Sequence, residues 1–234
     1  TKKIIKVKNI KTAEFTKLLE NIYRSINIGL INELSEISKK FKIDINESIQ
    51  AAKSKPFGFQ SFYPGPGVGG HCIPVDPYYL SWKAKKLGMD SKFIKLAGKI
   101  NDDRPNVIFK NIKKKITQKN IPHKKILFIG LAYKENCDDL RNSPILKIIR
   151  KFKDLKSKIY CHDPYIKIKE YPTIQKLIDN EFKTLNKKNL KSIDIVIIGT
   201  DHDKVNYNLI KEYSSLVFDT RNVFKFSEKN IIKI

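Results

Sequence analysis

ILFIGLAYKENCDDLRNSP, residues 126–144, decides the fold. Four apolar residues, Ile126 to Ile129, run into Gly130, and a polar turn follows. Ser143 and Pro144 then supply an N-cap and a first helical position, and the apolar pattern carries a helix to about Leu155. A short uninterrupted apolar run before a turn and a helix is the signature of a strand buried on both faces. KIYCHDP (158–164), DIVIIGT (194–200) and SLVFDT (215–220) repeat the apolar strand and polar turn. Strands alternating with helices predict a doubly wound parallel sheet, Rossmann-like in outline, over residues 121–234. The first turn holds a single glycine, so the diphosphate signature of that fold is missing from it.

Upstream the period changes to that of helices. From Thr12 to about Phe41 apolar residues such as Phe15, Leu19, Ile26, Leu30 and Ile37 recur at helical spacing. At ~1.5 Å per residue this is one helix roughly 40 Å long. Such length suits an element that organises a dimer or bridges two domains. Asp44 and Glu47 start a short helix that ends near Lys53, since Pro56 cannot continue it. A loop rich in glycine follows, residues 57–72, and Asp76 with Pro77 reads as the N-cap and first position of a helix that Gly88 closes. Further helix runs from Ser91 to about Lys119, with an interruption or kink expected near Pro105. The expected fold class is α/β: an all-helical domain over residues 1–120, then the Rossmann-like domain over 121–234, with the boundary between Asn120 and His123.

Composition narrows the function. The chain has 234 residues, 41% of them hydrophobic, enough to bury a core. No run of 18 apolar residues is present and the opening TKKIIKVKNIK has no signal-peptide pattern, so the expected compartment is the cytoplasm without membrane attachment. The chain opens at Thr1, without Met, on a long helical pattern, as a piece of a larger protein would. A net charge of +23 raises nucleic acid as a partner. Only Arg24, Arg104, Arg141, Arg150 and Arg221 are arginine, however, and the lysines are spread along the whole chain beside much Ile and Asn. That is the pattern of a coding bias and solvated faces rather than of a nucleic-acid reader, and none is expected as partner. Cys72, Cys137 and Cys161 are odd in number and widely spaced, which argues against a disulfide framework and against a metal site.

Gly65, Gly67 and Gly70 satisfy G-x-G-x-x-G, but that fingerprint works between a strand and a helix, and here a helix and an aromatic loop precede it. Cys72 offers another reading of the loop. Gly69 and Gly70 let the backbone come close to a ligand, and a helix opening at Pro77 turns its positive end toward the thiol. A reactive cysteine and a buried structural one both remain open at this level.

YPGPGVGGHCIPVDPYYL (63–80), preceded by KTAEFTKLLENIYRSINIGLINELS (11–35) and followed by GLAYKENCDDLRNSP (130–144), resembles the UDP-glucose/GDP-mannose dehydrogenase family. The resemblance covers essentially the whole chain and implies the family's central and UDP-binding domains, with its N-terminal NAD-binding domain absent. It implies an enzyme that oxidises C6 of a nucleotide sugar from alcohol to carboxylate in two hydride transfers to NAD. Cys72 matches the nucleophile, which would hold the aldehyde as a thiohemiacetal and then the acid as a thioester. Lys17 and Asn21, four residues apart on the long helix, match the groups that stabilise oxyanions at C6, and Asp76 the carboxylate that positions the hydrolytic water.

The same resemblance assigns substrate contacts to Tyr63, Gly65, Gly67, Gly69, Gly70 and His71 in the loop, and to Tyr133, Lys134 and Arg221 in the second domain. Arg141 matches a contact to NAD. Arginine retained in a lysine-rich chain suits a bidentate phosphate or carboxylate contact. His71 stands where the UDP-glucose branch carries Ser, and GPGVGGHCIPVDPYYL resembles the branch acting on UDP-N-acetylhexosamines. The resemblance therefore implies a UDP-N-acetylhexosamine substrate and a homodimer through the long helix, in a pathway of polysaccharide biosynthesis. UDP-glucose or GDP-mannose as substrate, and a module that binds nucleotide sugars without chemistry, are the alternatives.

Overall fold

The computed structural model describes residues 4–122 and 124–234; residues 1–3 and the His123 end of the expected boundary lie outside them. The chain forms two compact units. One comprises the residues up to Tyr63 with His71–Asn101, the other Pro64–Gly70 with Asp102–Ile234.

The first unit is helical. α1 spans Ile10–Lys40, capped by the Asn9 side chain, which accepts from the Thr12 N–H at 2.9 Å. α1 turns a small, polar face inward: Asn21, Ser25, Gly29, Asn32, Ser35 and Ser38 are buried along it. Its apolar stripe points the other way, with Phe15, Leu19, Leu30 and Ile37 about half exposed. Gly29 faces Ala97 of a later helix, where a Cβ would stand 3.4 Å from the Ala97 Cα, in ordinary van der Waals contact. The Asn101 side chain donates to the Ser25 carbonyl at 2.8 Å, giving that helix carbonyl a side-chain partner. α2, Ile45–Lys53, starts at Asp44 as expected, the carboxylate accepting from the Asn46 N–H. α3 spans Asp76–Lys86, followed by Gly88 at φ +77°.

The expected N-cap role of Asp76 is not what the side chain does. Val75 occupies the cap position without a side-chain bond, and Asp76 is the first helical residue. Its carboxylate is engaged instead by Asn21, a tertiary partner that outcompetes the local one. α4, Lys92–Gln118, contains Pro105 within one continuous helix, so of the two outcomes expected there the interruption does not occur. Proline in a helix removes one donor and costs about 3 kcal/mol in an isolated helix. Here the following turns carry Ile108, Ile112 and Ile116, spaced by four and buried at the sheet, which offsets that cost.

The second unit is a six-stranded parallel sheet of order β3-β2-β1-β4-β5-β6, built from β1 (Lys125–Ile129), β2 (Lys158–His162), β3 (Asn180–Glu181), β4 (Ile195–Ile198), β5 (Val217–Asp219) and β6 (Ile231–Lys233). Side chains alternate across it. Ile126 and Phe128 of β1 and Ile195 and Ile197 of β4 face one core, with Ile145, Ile149 and Phe152 from α5 (Pro144–Asp154). Leu127, Ile129, Val196 and Ile198 face the other, closed by Leu190 of α7 (Lys187–Lys191) and Ile210 of α8 (Tyr207–Tyr213). A short α6 (Pro172–Gln175) lies before β3. Helices on both faces of a parallel sheet make the α/β doubly wound class expected from residues 126–144.

Candidate functional site

The candidate residues fall in two groups, one in each unit. In the helical unit, Asn21 is 1% exposed and its Nδ2 donates to the Asp76 Oδ2 at 2.6 Å across 55 residues of sequence. Its Oδ1 accepts from the Arg24 guanidinium at 3.1 Å, which settles the amide orientation. Cys72 lies one turn before Asp76: its carbonyl accepts from the Val75 N–H at 3.1 Å and the Asp76 N–H at 2.8 Å. The thiol is exposed, which removes the buried structural reading left open above. Lys17, one turn before Asn21, is exposed, as is His71, and the Tyr63 hydroxyl accepts from Gln50 at 2.9 Å. Beside Cys72, Pro74, Val75, Tyr78, Tyr79 and Trp82 line an open, mainly apolar cavity that no sequence pattern announced.

In the sheet unit, the glycine segment 64–70 is packed on the loop that leaves β1. A Cβ on Gly69 would stand 2.4 Å from the Tyr133 Cβ, and one on Gly70 (φ +83°) 2.9 Å from the Tyr133 Cζ. The space these glycines leave is filled by the Tyr133 side chain. The Gly70 N–H donates to the Arg141 carbonyl at 2.7 Å, and its carbonyl accepts from the Asn142 amide at 2.9 Å. Arg104, 2% exposed, donates to the Gly65 carbonyl. The absence of side chains at these positions thus serves close packing between two loops of one unit.

Arg221, at the end of β5, is also drawn to this segment: its Nη1 is 3.3 Å from where a Gly65 Cβ would be. Its Nε donates to the Gly199 carbonyl at 2.7 Å, and its N–H to the Asp219 carboxylate. Burial pulls the guanidinium down from its ordinary value, opposed by the carboxylates of Asp201 and Glu135. Asp201 is the counterpart: burial raises its carboxyl, and Arg221 works against that rise. Asp201 was not singled out by any sequence pattern. Its position just beyond the carboxyl end of β4 was the available signal, because ligands of open α/β sheets bind outside those ends. Lys134, at the tip of the β1 loop, is exposed.

Among the described residues, neither the Gly65–Gly70 segment nor the turn after β1 leaves room for a dinucleotide diphosphate. Gly65–Gly70 is closed by Tyr133 and by Pro144, 3.1 Å from a Cβ on Gly67. At the strand-to-helix turn after β1, the Leu131 and Ala132 N–H groups already donate to Asp163, and a Cβ on Gly130 would meet the Thr200 carbonyl at 2.3 Å. The Arg141 guanidinium is held by the Asp139 carboxylate at 2.6–3.0 Å, which keeps that acid below the usual carboxylate range. Among the described residues no group of three or more His, Cys, Asp or Glu could hold a metal, and no helix is long and apolar enough to cross a membrane.

Comparison with known proteins bears on both units. Residues 11–103 match the central domain of the UDP-glucose/GDP-mannose dehydrogenase family, and residues 127–226 match the UDP binding domain of the same family. A UDP-N-acetyl-D-mannosamine dehydrogenase of Methanocaldococcus jannaschii is 34% identical over 222 residues, 95% of this chain and 48% of the relative. A UDP-N-acetyl-D-glucosamine 6-dehydrogenase of Salmonella typhi is 33% identical over 203 residues, 85% of this chain and 46% of the relative. The solved structure of UDP-D-ManNAc dehydrogenase from Pyrococcus horikoshii superposes with a TM-score of 0.79 at 30% identity, covering 96% of this chain and 51% of that one. The chain spans about half the length of the relatives it matches.

Proposed function

Because the chain belongs to the UDP-glucose/GDP-mannose dehydrogenase family, we propose that it is the nucleotide-sugar-binding and nucleophile-bearing part of a UDP-N-acetylhexosamine 6-dehydrogenase. Cys72 attacks the C6 aldehyde, giving a thiohemiacetal, and after oxidation holds the acid as a thioester that water cleaves. NAD supplies the hydride acceptor when bound, and among the described residues the two glycine turns offer it no diphosphate site. The chain by itself is therefore inactive. Asp76, held by Asn21, positions the water; Lys17 and Asn21 face developing negative charge at C6. Tyr133, Lys134 and Arg221 take the nucleotide sugar.

The observation that carries this reading is the Asn21–Asp76 bond, with Cys72 one turn from Asp76: residues with three different chemistries are drawn together from α1 and from the turn into α3. Relatives named for N-acetylhexosamine substrates, and His71 before the nucleophile, support that substrate class. The outward apolar stripe of α1 favours a homodimer in which a second copy covers it, because a face repeated on two copies can bury itself isologously.

Two measurements test the proposal. Titration calorimetry of this chain with UDP gives saturable binding; a folded chain that takes up no UDP defeats the reading. When the chain is joined to a nicotinamide-binding half of the same family, Cys72→Ser nearly abolishes uronate formation. Unchanged steady-state NADH production would remove the thioester from the mechanism.

A further inference from the structure

Three loops leave the carboxyl ends of β1, β2 and β4, and one buried imidazole joins them. His202, in the loop after β4, is 0% exposed. Its Nε2 lies 3.2 Å from the Oδ2 of Asp163, in the loop after β2, and the Asn136 backbone N–H, in the loop after β1, points at its Nδ1 from 3.0 Å. A backbone N–H only donates, so Nδ1 is the acceptor and the ring proton sits on Nε2, facing Asp163. The imidazole is neutral, in one tautomer, with both nitrogens used.

Asp163 is equally committed. Its Oδ2 accepts from the Leu131 and Ala132 N–H groups at 2.7 and 3.3 Å, and its Oδ1 from those of Tyr165 and Ile166 at 2.9 and 3.1 Å. Burial alone would raise this carboxyl, but the bonds from His202 and the backbone prevail and hold it below the usual carboxylate range. Asn136 takes φ +54°, a region that side chains rarely adopt. Its side chain donates to the Asp203 carboxylate at 2.7 Å and accepts from the Asp203 N–H at 3.0 Å.

The β1 loop is thereby pinned at Leu131 and Ala132 by Asp163 and at Asn136 by His202, and the exposed Lys134 lies between the pins. We propose that His202 is a positioning residue for substrate: through the Asn136 N–H it fixes the left-handed turn that sets where Lys134 stands. This rests on the assignment of Lys134 to the nucleotide sugar. Asp163 and Tyr165 face the ring from the β2 loop, with the Tyr165 ring centroid 5.1 Å away, while Asp201 and Asp203 flank it on its own loop.

Two substitutions separate positioning from mere packing, because each keeps one end of the bridge. In His202→Gln the amide nitrogen reaches the place of Nε2 and donates to Asp163, but nothing accepts from Asn136. In His202→Asn the amide oxygen takes the place of Nδ1 and accepts from Asn136, but Asp163 loses a donor. Calorimetry with UDP and thermal unfolding are measured on wild type and both variants of the 234-residue chain. His202→Gln unfolds close to wild type but binds UDP about five- to tenfold more weakly, the worth of one lost hydrogen bond. His202→Asn is the less stable variant and binds UDP like wild type. Affinity that is unchanged in His202→Gln, or that falls in step with stability in both variants, overturns the positioning role. A wild-type chain that binds no UDP overturns the proposed function first, and this inference with it.

Discussion

The two units bury apolar surface very differently. Among the described residues, Ile31, Ile49, Pro77 and Ala97 are the buried apolar side chains of the helical unit, whereas both faces of the sheet are covered by continuous clusters of Ile, Leu, Val and Phe. Exposed large apolar residues show the reverse: Leu155 and Phe226 in the sheet unit, against Phe15, Leu30, Tyr79, Trp82, Phe93 and many others in the helical one. The sheet unit closes its own core. The helical unit holds its helices together through small and polar contacts, Gly29 on Ala97, Asn101 on Ser25, Asn21 on Asp76, and keeps its apolar residues outside. An apolar stripe running the length of α1 is a surface built to be covered.

The contrast can be broken at several points. In the sheet unit Phe128→Ala removes a fully buried ring and costs about 3–5 kcal/mol in urea unfolding. A loss below about 1 kcal/mol would mean that the sheet core is not what holds this unit. In the helical unit Leu34→Lys with Ile37→Lys leaves the unfolding midpoint of the sheet unit in place but weakens self-association by about a hundredfold, read by analytical ultracentrifugation. Unaltered association, or a chain that does not self-associate at all, would defeat the proposed homodimer through α1. A smaller effect sharpens the comparison at the glycine segment: Gly69→Ala forces Tyr133 aside and destabilises by about 1–3 kcal/mol, with weaker UDP binding. An unaffected protein would show that the loop gives way freely.

Much of the fold was legible because its signals are local. Ser143-Pro144 before α5, Asp44 before α2 and the apolar runs of β1, β2, β4 and β5 each specify an element within a few residues. β3, two residues long, and the short β6 carry no period of their own and exist through pairing with β2 and β5. The candidate site was legible where motifs hold it, at Cys72, Asp76 and Arg221. It was not legible at Asp163, Asn136, Asp201 and His202, which sit in turns whose composition is that of any polar loop.

By itself the sequence determined the α/β class, the helical first part, the parallel sheet and the family, since hydrophobic period and motif spacing are properties of neighbouring residues. It did not determine which way the α1 stripe faces, because a helical period is the same whether its apolar side is covered or exposed. Nor did it determine that Asp76 would leave its cap for Asn21, that Gly69 and Gly70 would receive Tyr133, or that His202 would take a single tautomer between Asp163 and Asn136. Those contacts join residues tens of positions apart, and only the folded chain brings their donors, acceptors and empty spaces within a few ångströms of each other.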